Sequence, residues 1–128
     1  MSNVDTTIAM RPDKVQLMRG PSTKVEGLRM IRDEWRYDTD LKRLRCGTDQ
    51  NRHGEFGTYN GGNHLIWVRV YKASHTELSN TFVRVLPPSR PKVDIDARVL
   101  DEGELVHCIE EDWWYIGDGV TLGGNKAK

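Results

Sequence analysis

Residues 104–119 read ELVHCIEEDWWYIGDG, and this stretch predicts the fold of the chain. An alternating segment, 105–109, and an aromatic segment, 113–116, flank three acidic residues, as two strands flank a polar turn. The glycines at 117 and 119 allow the chain to turn sharply after the second strand, because glycine accepts positive φ. The stretch therefore predicts a β-hairpin.

A second hairpin is predicted at residues 35–47, where WRY and RLRC flank a turn with the sequence DTDLK. Asp38 and Asp40 are turn residues whose side chains accept backbone N–H groups. A constant offset in residue number aligns this hairpin with the other one and matches Glu34 with Glu104 and Gly47 with Gly117. The same offset gives Cys46 the inward strand position of Ile116. We expect two unequal copies, the first carrying the Asp-Thr-Asp turn and the second the Gly-Asp-Gly closure.

The rest of the chain also reads mainly as strands. Residues 15–19, 65–71, 81–86 and 92–99 are short or alternating apolar segments. In the last of them, alternation predicts that Val93, Ile95, Ala97 and Val99 face inward. One segment, 24–34, instead has apolar residues at a spacing of three, which suits a short helix. The predicted fold class is mainly β, as a small β-sandwich or β-barrel-like domain with hairpin repeats and an extended N-terminal arm.

The predicted organisation is a single β-rich domain over residues 14–122. Its halves, 14–86 and 92–122, are joined by a proline-rich linker at 87–91, because proline cannot lie inside a central strand. Residues 1–13 are expected to form an extended arm that orders only against a partner, and 123–128 a flexible tail. Loops are expected at 54–63, which is rich in glycine, and at 73–80.

Composition excludes several classes of protein. The 128 residues carry 19 basic and 19 acidic side chains, and this neutral total argues against a dedicated nucleic-acid binder. No stretch is apolar enough to span a membrane, and the N-terminal residues do not resemble a signal peptide. The two cysteines, Cys46 and Cys108, are expected to be free and mostly buried thiols.

No catalytic, metal or cofactor site is predicted. The four histidines have no metal-ligand spacing, and the neighbours His107 and Cys108 point to opposite faces of a strand. The Asp-Thr-Asp stretch lacks the later ligands of a calcium loop. Catalysis by a Cys-His pair would need an exposed thiol beside a base, whereas both cysteines lie in predicted strands. We therefore expect no enzyme.

The tryptophans suggest an interaction surface. Trp113 and Trp114 are adjacent, so at least one of them is expected to face away from the local core, and exposed tryptophan is typical of interfaces. A core at a bend and a sugar-stacking platform are the alternatives. The interface candidates are the aromatic and basic residues of both hairpins: Trp35, Tyr37, Arg43, Arg45, Trp113, Trp114 and Tyr115.

The two hairpins resemble the repeat of tailed-bacteriophage fibre and tropism-determinant N-terminal regions. That repeat contains Glu-Leu, an aromatic residue, Asp-Thr-Asp, a small turn, Arg-Leu and Gly-Asp-Gly, and an Arg-Gly strand often precedes it. Lys42 stands where the family usually has glycine, so we expect the first turn to close differently. The residues that carry the turn and closure of the motif are Asp38, Asp40, Gly47, Gly117, Asp118 and Gly119.

The resemblance implies a structural component of a tailed-phage virion, made in the host cytoplasm. We expect a small capsid decoration or head-fibre-type protein that forms a homo-oligomer, as a trimer in the family. Its expected partners are its own copies and the major capsid protein or other virion proteins, with self-association at the first hairpin and docking at the second. The alternatives are a tail fibre or fibre-adaptor protein, or a module that binds a carbohydrate or receptor such as a host-surface glycan.

Overall fold

The computed structural model describes residues 3–10, 13–27, 29–48, 55–56, 62–71 and 78–127. Its helices are α1 (Ser22–Gly27) and α2 (Lys92–Asp96). The strands, in chain order, are β1 (Asn3–Met10), β2 (Val15–Gln16), β3 (Met18–Gly20), β4 (Trp35–Asp38), β5 (Arg43–Cys46), β6 (Glu55–Phe56), β7 (Ile66–Tyr71), β8 (Leu78–Val85), β9 (Ser89–Arg90), β10 (Glu104–Cys108), β11 (Trp113–Ile116) and β12 (Asn125–Lys126).

These strands form three small sheets, which confirms the mainly β fold class. One sheet has the order β1-β8-β7, and another has the order β3-β4-β5-β6. The third has the order β12-β11-β10-β2, with β9 also paired to β10. Over the described residues no sheet closes on itself, so the domain is not a barrel.

Both predicted hairpins are present. In the first, β4 pairs with β5 in antiparallel register, with Trp35 opposite Cys46 and Tyr37 opposite Leu44. In the second, β10 pairs with β11, with Leu105 opposite Ile116. Cys46 and Ile116 thus hold equivalent positions, as the offset between the two hairpins predicts.

The duplication extends well beyond the hairpins. Each hairpin is preceded by a short strand that runs parallel to its first strand and then by a one-turn helix after a proline, Pro21 or Pro91. The register repeats at the same offset: Gly20 lies opposite Asp38, and Arg90 lies opposite Cys108. We call residues 18–47 unit 1 and residues 88–117 unit 2.

The same backbone hydrogen bonds close both units. The amide of Gly47 donates to the carbonyl of Glu34 at 2.9 Å, and that of Gly117 donates to the carbonyl of Glu104 at 2.9 Å. Equivalent turns join each helix start to its proline. The two copies thus differ in sequence, as expected, while their backbone hydrogen bonds and register are repeated.

The two units share one core. Alternate side chains of each hairpin face it, and Trp35 of unit 1 meets Trp114 of unit 2 edge to face at 5.1 Å between ring centroids. Strands β7 and β8 complete it with Ile66, Val68 and Val85. The opposite faces of the hairpins lie towards the helices, as Ile95 of α2 does in a smaller cluster with Val106.

The proline-rich segment and the segment after it differ from the prediction. Residues 87–91 are not a linker between halves, because Ser89–Arg90 forms β9 and pairs with β10. Residues 92–99 contain α2 rather than a strand. Pro91, with φ −62°, is compatible with a helix start, and its carbonyl accepts the amides of Asp94 and Ile95. Ile95 is fully buried, whereas Val93, predicted to face inward, is 72% exposed.

The chain ends also differ from expectation. Strand β1, within the predicted free arm, pairs in parallel with β8 of the same chain. Strand β12, within the predicted flexible tail, pairs with β11, and Ala127 is buried. The strand expected at 15–19 is divided into β2 and β3, which belong to different sheets.

The expected loops are described only in part. Of the expected loop 54–63, Glu55–Phe56 is a strand and residues 54 and 57–61 lie outside the described residues. Of the expected connection 73–80, residues 78–80 belong to β8 and residues 73–77 lie outside the described part. None of the described helices is long and apolar enough to span a membrane.

Candidate assembly surface

The turn of unit 1 is organised by Asp38. Its Oδ1 accepts the amides of Asp40 at 3.0 Å and Leu41 at 3.1 Å, as predicted for a turn aspartate. Its Oδ2 accepts the hydroxyl of Ser22 at 2.7 Å and Nε of Arg45 at 2.9 Å. Burial opposes ionisation of this carboxyl, but these hydrogen bonds outweigh burial and lower its pKa.

A buried ion network lies beside this turn. Glu34 and Arg36 are fully buried, and Nε of Arg36 donates to Oε2 of Glu34 at 2.7 Å. Arg69 of β7 reaches the same Oε2 at 3.3 Å and lies over the ring of Phe82. Since buried charges require partners, this network ties unit 1 to the sheet of β7 and β8.

Unit 2 places apolar side chains at the equivalent positions. Val106 stands where unit 1 has Arg36, Cys108 stands where it has Asp38, and Tyr115 replaces Arg45. All three belong to one apolar cluster with Ile95 and Leu100. The two units therefore have the same backbone and differ in interior chemistry at these three positions, although each keeps a buried glutamate, Glu34 or Glu104.

The turn of unit 2 contains a chain of polar contacts. The hydroxyl of Ser89 lies 2.9 Å from Nδ1 of His107, and Nε2 of the same ring lies 2.6 Å from Oδ1 of Asp112. Asp112 Oδ2 also accepts the amide of Gly62 at 2.7 Å, and both bonds lower the pKa of Asp112. These contacts hold β9, the turn and the segment before β7 together, so we assign them a positioning role.

Within the described residues, Cys108 and its neighbour His107 lie on different sides of strand β10. Cys108 is fully buried in the apolar cluster of unit 2, while the neighbouring His107 faces the other side of β10. Both cysteines are free thiols, as predicted, and Cys46 is partly buried. Among the described residues, no group of three potential ligands could hold a metal ion.

The closure of unit 2 depends on Asp118. Its Oδ1 accepts the amides of Val120 and Thr121 at 2.9 and 2.7 Å, and its Oδ2 accepts Nδ2 of Asn125 at 3.1 Å. Together with the hydroxyl of Thr121, these donors hold its pKa far below the usual range. Asp118 therefore fixes the chain between β11 and β12.

Most of the predicted interface residues are buried within the chain. Trp35, Tyr37, Arg45, Trp114 and Tyr115 have exposed fractions of 8% or less, which leaves these candidates little surface for contact with a partner. Trp114 is fully buried between the two units because the hairpins pack face to face. Of the predicted interface set, only Arg43 is exposed, and Trp113 is partly buried.

Trp113 is covered by the chain's own C-terminal segment. Its indole N–H donates to the carbonyl of Ala127, and the ammonium of Lys126 lies 5.2 Å from its ring centroid. Trp113 is partly buried and packs against the shared core that also contains Trp114, which fits the alternative of a core for both tryptophans. The segment that covers Trp113 is the tail that the sequence suggests to be flexible.

A different apolar surface is exposed beside unit 2. Val120 is 77% exposed, Leu122 65% and Val99 43%, and Val99 pairs with Leu122 in an isolated bridge. We call these three residues the unit 2 patch. The sequence analysis missed this patch because alternation placed Val99 inward. A signal was present, since Val120 and Leu122 stand among glycines and polar residues, where apolar side chains lack a core. Further exposed apolar residues are Leu41, Val93 and Ile109.

No protein-family model, curated protein or solved structure matches the chain.

Proposed function

We propose that the chain is a structural subunit of a tailed-phage virion that decorates the capsid surface as an oligomer. The observation that carries the proposal is the duplicated unit of parallel strand, helix and hairpin. The resemblance to the fibre repeat involves residues of both hairpins, and the strand with Arg19 and Gly20 precedes the first hairpin in parallel pairing with it. The proposal thus rests on motif and architecture together.

The glycines of the resemblance have a structural reason that supports the proposal. A side chain on Gly117 would place its Cβ 2.2 Å from the carbonyl oxygen of Asp101, and one on Gly47 would place it 2.2 Å from that of Ile31. Both positions therefore require glycine for close packing of the strand end on the chain before the hairpin. These two glycines of the motif are therefore residues that each unit needs in order to close.

The unit 2 patch supports assembly. Exposed apolar side chains that lie next to each other are typical of contact surfaces, and the patch stands beside the hairpin to which we assign docking on the particle. Because Trp35 and Trp114 are buried, the unit 2 patch offers more apolar surface to an interface than these tryptophans do. We propose that neighbouring copies, or the capsid protein, cover Val120 and Leu122.

The burial of the aromatic residues weakens the carbohydrate-binding alternative. A sugar-stacking platform requires an aromatic face open to solvent, whereas Trp114 is 0% exposed and Tyr115 is 8% exposed. The hydroxyl of Tyr115 is also engaged by Glu111. These contacts favour a structural role.

The test is the location of the protein in purified particles. Mass spectrometry of separated heads and tails, from particles produced in cells that express the chain, is expected to find it in the head fraction in many copies. Absence from both fractions contradicts a virion role. Presence in the tail fraction alone contradicts the capsid assignment and favours the fibre-adaptor alternative.

A further inference from the structure

A cavity of about 330 Å³ lies between the turn of unit 1 and the last strand of the chain. Its apolar members, Leu44, Ile116 and Ala127, are each at most 3% exposed and belong to the shared core. Its remaining members are exposed and cationic. The full lining is Lys42, Arg43, Leu44, Ile116, Lys126 and Ala127. We call this cavity the cationic hollow.

The charged side chains that line the cationic hollow are all cations. Its lining contains three cations and no carboxylate. Glu111 lies 3.8 Å from Lys126, but this exposed pair is long and contributes little. Within the described part of the chain, the side chain of Lys42 has no ion pair or hydrogen bond. An anion that entered the hollow would therefore gain an ammonium group that the chain itself does not engage.

The backbone at Lys42 has the same conformation as that of its counterpart in unit 2. Its φ of 53° is in the left-handed region, which is unfavourable for residues other than glycine. Asp112, at the equivalent position of unit 2, has φ 50° and uses its side chain to bind His107 and Gly62. Lys42 has no such internal use. Lys42 therefore lines the hollow with a side chain that the turn itself does not use.

The open edge of a sheet lies beside the hollow. Strand β12, which contains Lys126, is at the edge of its sheet in the described part of the chain. An edge strand presents unpaired backbone groups that an extended polypeptide can pair with. The neighbouring cavity, at the small end of the range for ligand pockets, has room for a short side chain.

We propose that the cationic hollow binds an extended acidic segment of a neighbouring protein subunit, with an aspartate or glutamate next to an aliphatic residue. The carboxylate lies between Lys42 and Lys126, and the aliphatic side chain contacts Leu44 and Ile116. The neighbouring subunit in this inference rests on the proposed function. The binding chemistry rests on the cations, the apolar floor and the strand edge.

The test is a titration of the full-length protein, labelled at its Leu, Ile and Ala methyl groups, followed by NMR. The probe is a blocked peptide, Val-Asp-Leu-Glu-Val, and its uncharged analogue is Val-Asn-Leu-Gln-Val. We expect saturable shifts at Leu44, Ile116 and Ala127 with the acidic peptide only. Lys42→Gln and Lys126→Gln should each weaken binding about two- to fivefold, as expected for one exposed ion pair.

The matched control is Lys24→Gln, an exposed lysine of α1 outside the hollow, which should leave the affinity unchanged. Equal shifts with both peptides, or no shifts, overturn the inference. Equal shifts with acetate or inorganic phosphate show a general anion site and overturn the polypeptide assignment, as does preferential binding of an acidic oligosaccharide. Failure here, with the protein present in virions, overturns this inference alone, whereas peptide binding without virion association overturns the proposed function.

Discussion

Lys42 and Asp112 occupy the same position in two equivalent hairpins, and both have a left-handed backbone, with φ of 53° and 50°. We expected the first turn to close differently because of Lys42. The structure has Lys42 in the left-handed conformation that glycine favours, as Asp112 is in unit 2. The same turn thus occurs in both units at the cost of local strain.

Lys42→Gly should stabilise the protein. A left-handed non-glycine residue costs about 1–2 kcal/mol, partly offset by the greater flexibility of glycine in the unfolded chain, so we expect a gain of about 0.5–1 kcal/mol. Urea unfolding measures it. Asp112→Gly is the matched control and should give no gain, because it removes the contacts to His107 and Gly62. A loss of stability in Lys42→Gly contradicts the strain argument.

Glu34→Gln should destabilise the protein far more than Glu104→Gln. Glu34 is the carboxylate that balances Arg36 and Arg69 in the interior, and an uncompensated buried charge costs about 3–5 kcal/mol. Glu104 pairs with Arg98, whose side chain is 42% exposed and remains solvated when the pair is lost. Thermal and urea unfolding of both variants test this difference. Equal losses of stability in the two variants would mean that the buried ion network of unit 1 does not cause the destabilisation.

Gly117→Ala should prevent stable folding or destabilise the protein by more than about 3 kcal/mol, because the new Cβ would overlap backbone that cannot move apart cheaply. That Cβ would lie 2.2 Å from the carbonyl oxygen of Asp101. Gly62→Ala is the control, because no atom lies within 4 Å of its Cβ position and only its φ of 80° is unfavourable, at about 1–2 kcal/mol. Circular dichroism melts compare them. A folded Gly117→Ala protein of near-normal stability contradicts this packing.

Asp118 should make the protein labile to acid. Its folded pKa is lowered by the Thr121 hydroxyl and by backbone and Asn125 donors, below the ordinary 3.8. The stabilisation is therefore present above about pH 4 and is lost as pH falls below 3.8 towards the folded pKa. Asp118→Asn should lower stability at neutral pH and flatten the decline in acid below the ordinary pKa. The slope of the unfolding free energy against pH measures this, and an unchanged slope contradicts it.

Val120→Asp combined with Leu122→Asp should abolish self-association without unfolding the chain. Both side chains are largely exposed in the single chain, so their replacement costs the fold little. Sedimentation equilibrium should show the expected oligomer, a trimer, for the parent chain and a monomer for the variant. Val93→Asp, exposed at 72% on α2 and outside the unit 2 patch, is the control and should remain oligomeric. An oligomeric double variant contradicts a role for the patch.

The sequence determined the two hairpins, their turn residues and the single offset that relates them. These features depend on local chemistry: alternating side chains favour strands, aspartate binds the amides that follow it, and glycine permits close approach at Gly47 and Gly117. Each signal lies within a few residues of the structure that it specifies. That is why both hairpins lie where the prediction places them.

Only the tertiary structure decided which side chains are exposed and what the short segments become. Trp114 is buried because the other hairpin packs on it, and Ser89–Arg90 is a strand because β10 offers it an edge. Val93 faces solvent because a proline and two backbone bonds favour a helix where alternation suggests a strand. Burial and edge pairing are set by contacts distant in sequence, and local periodicity carries no information about them.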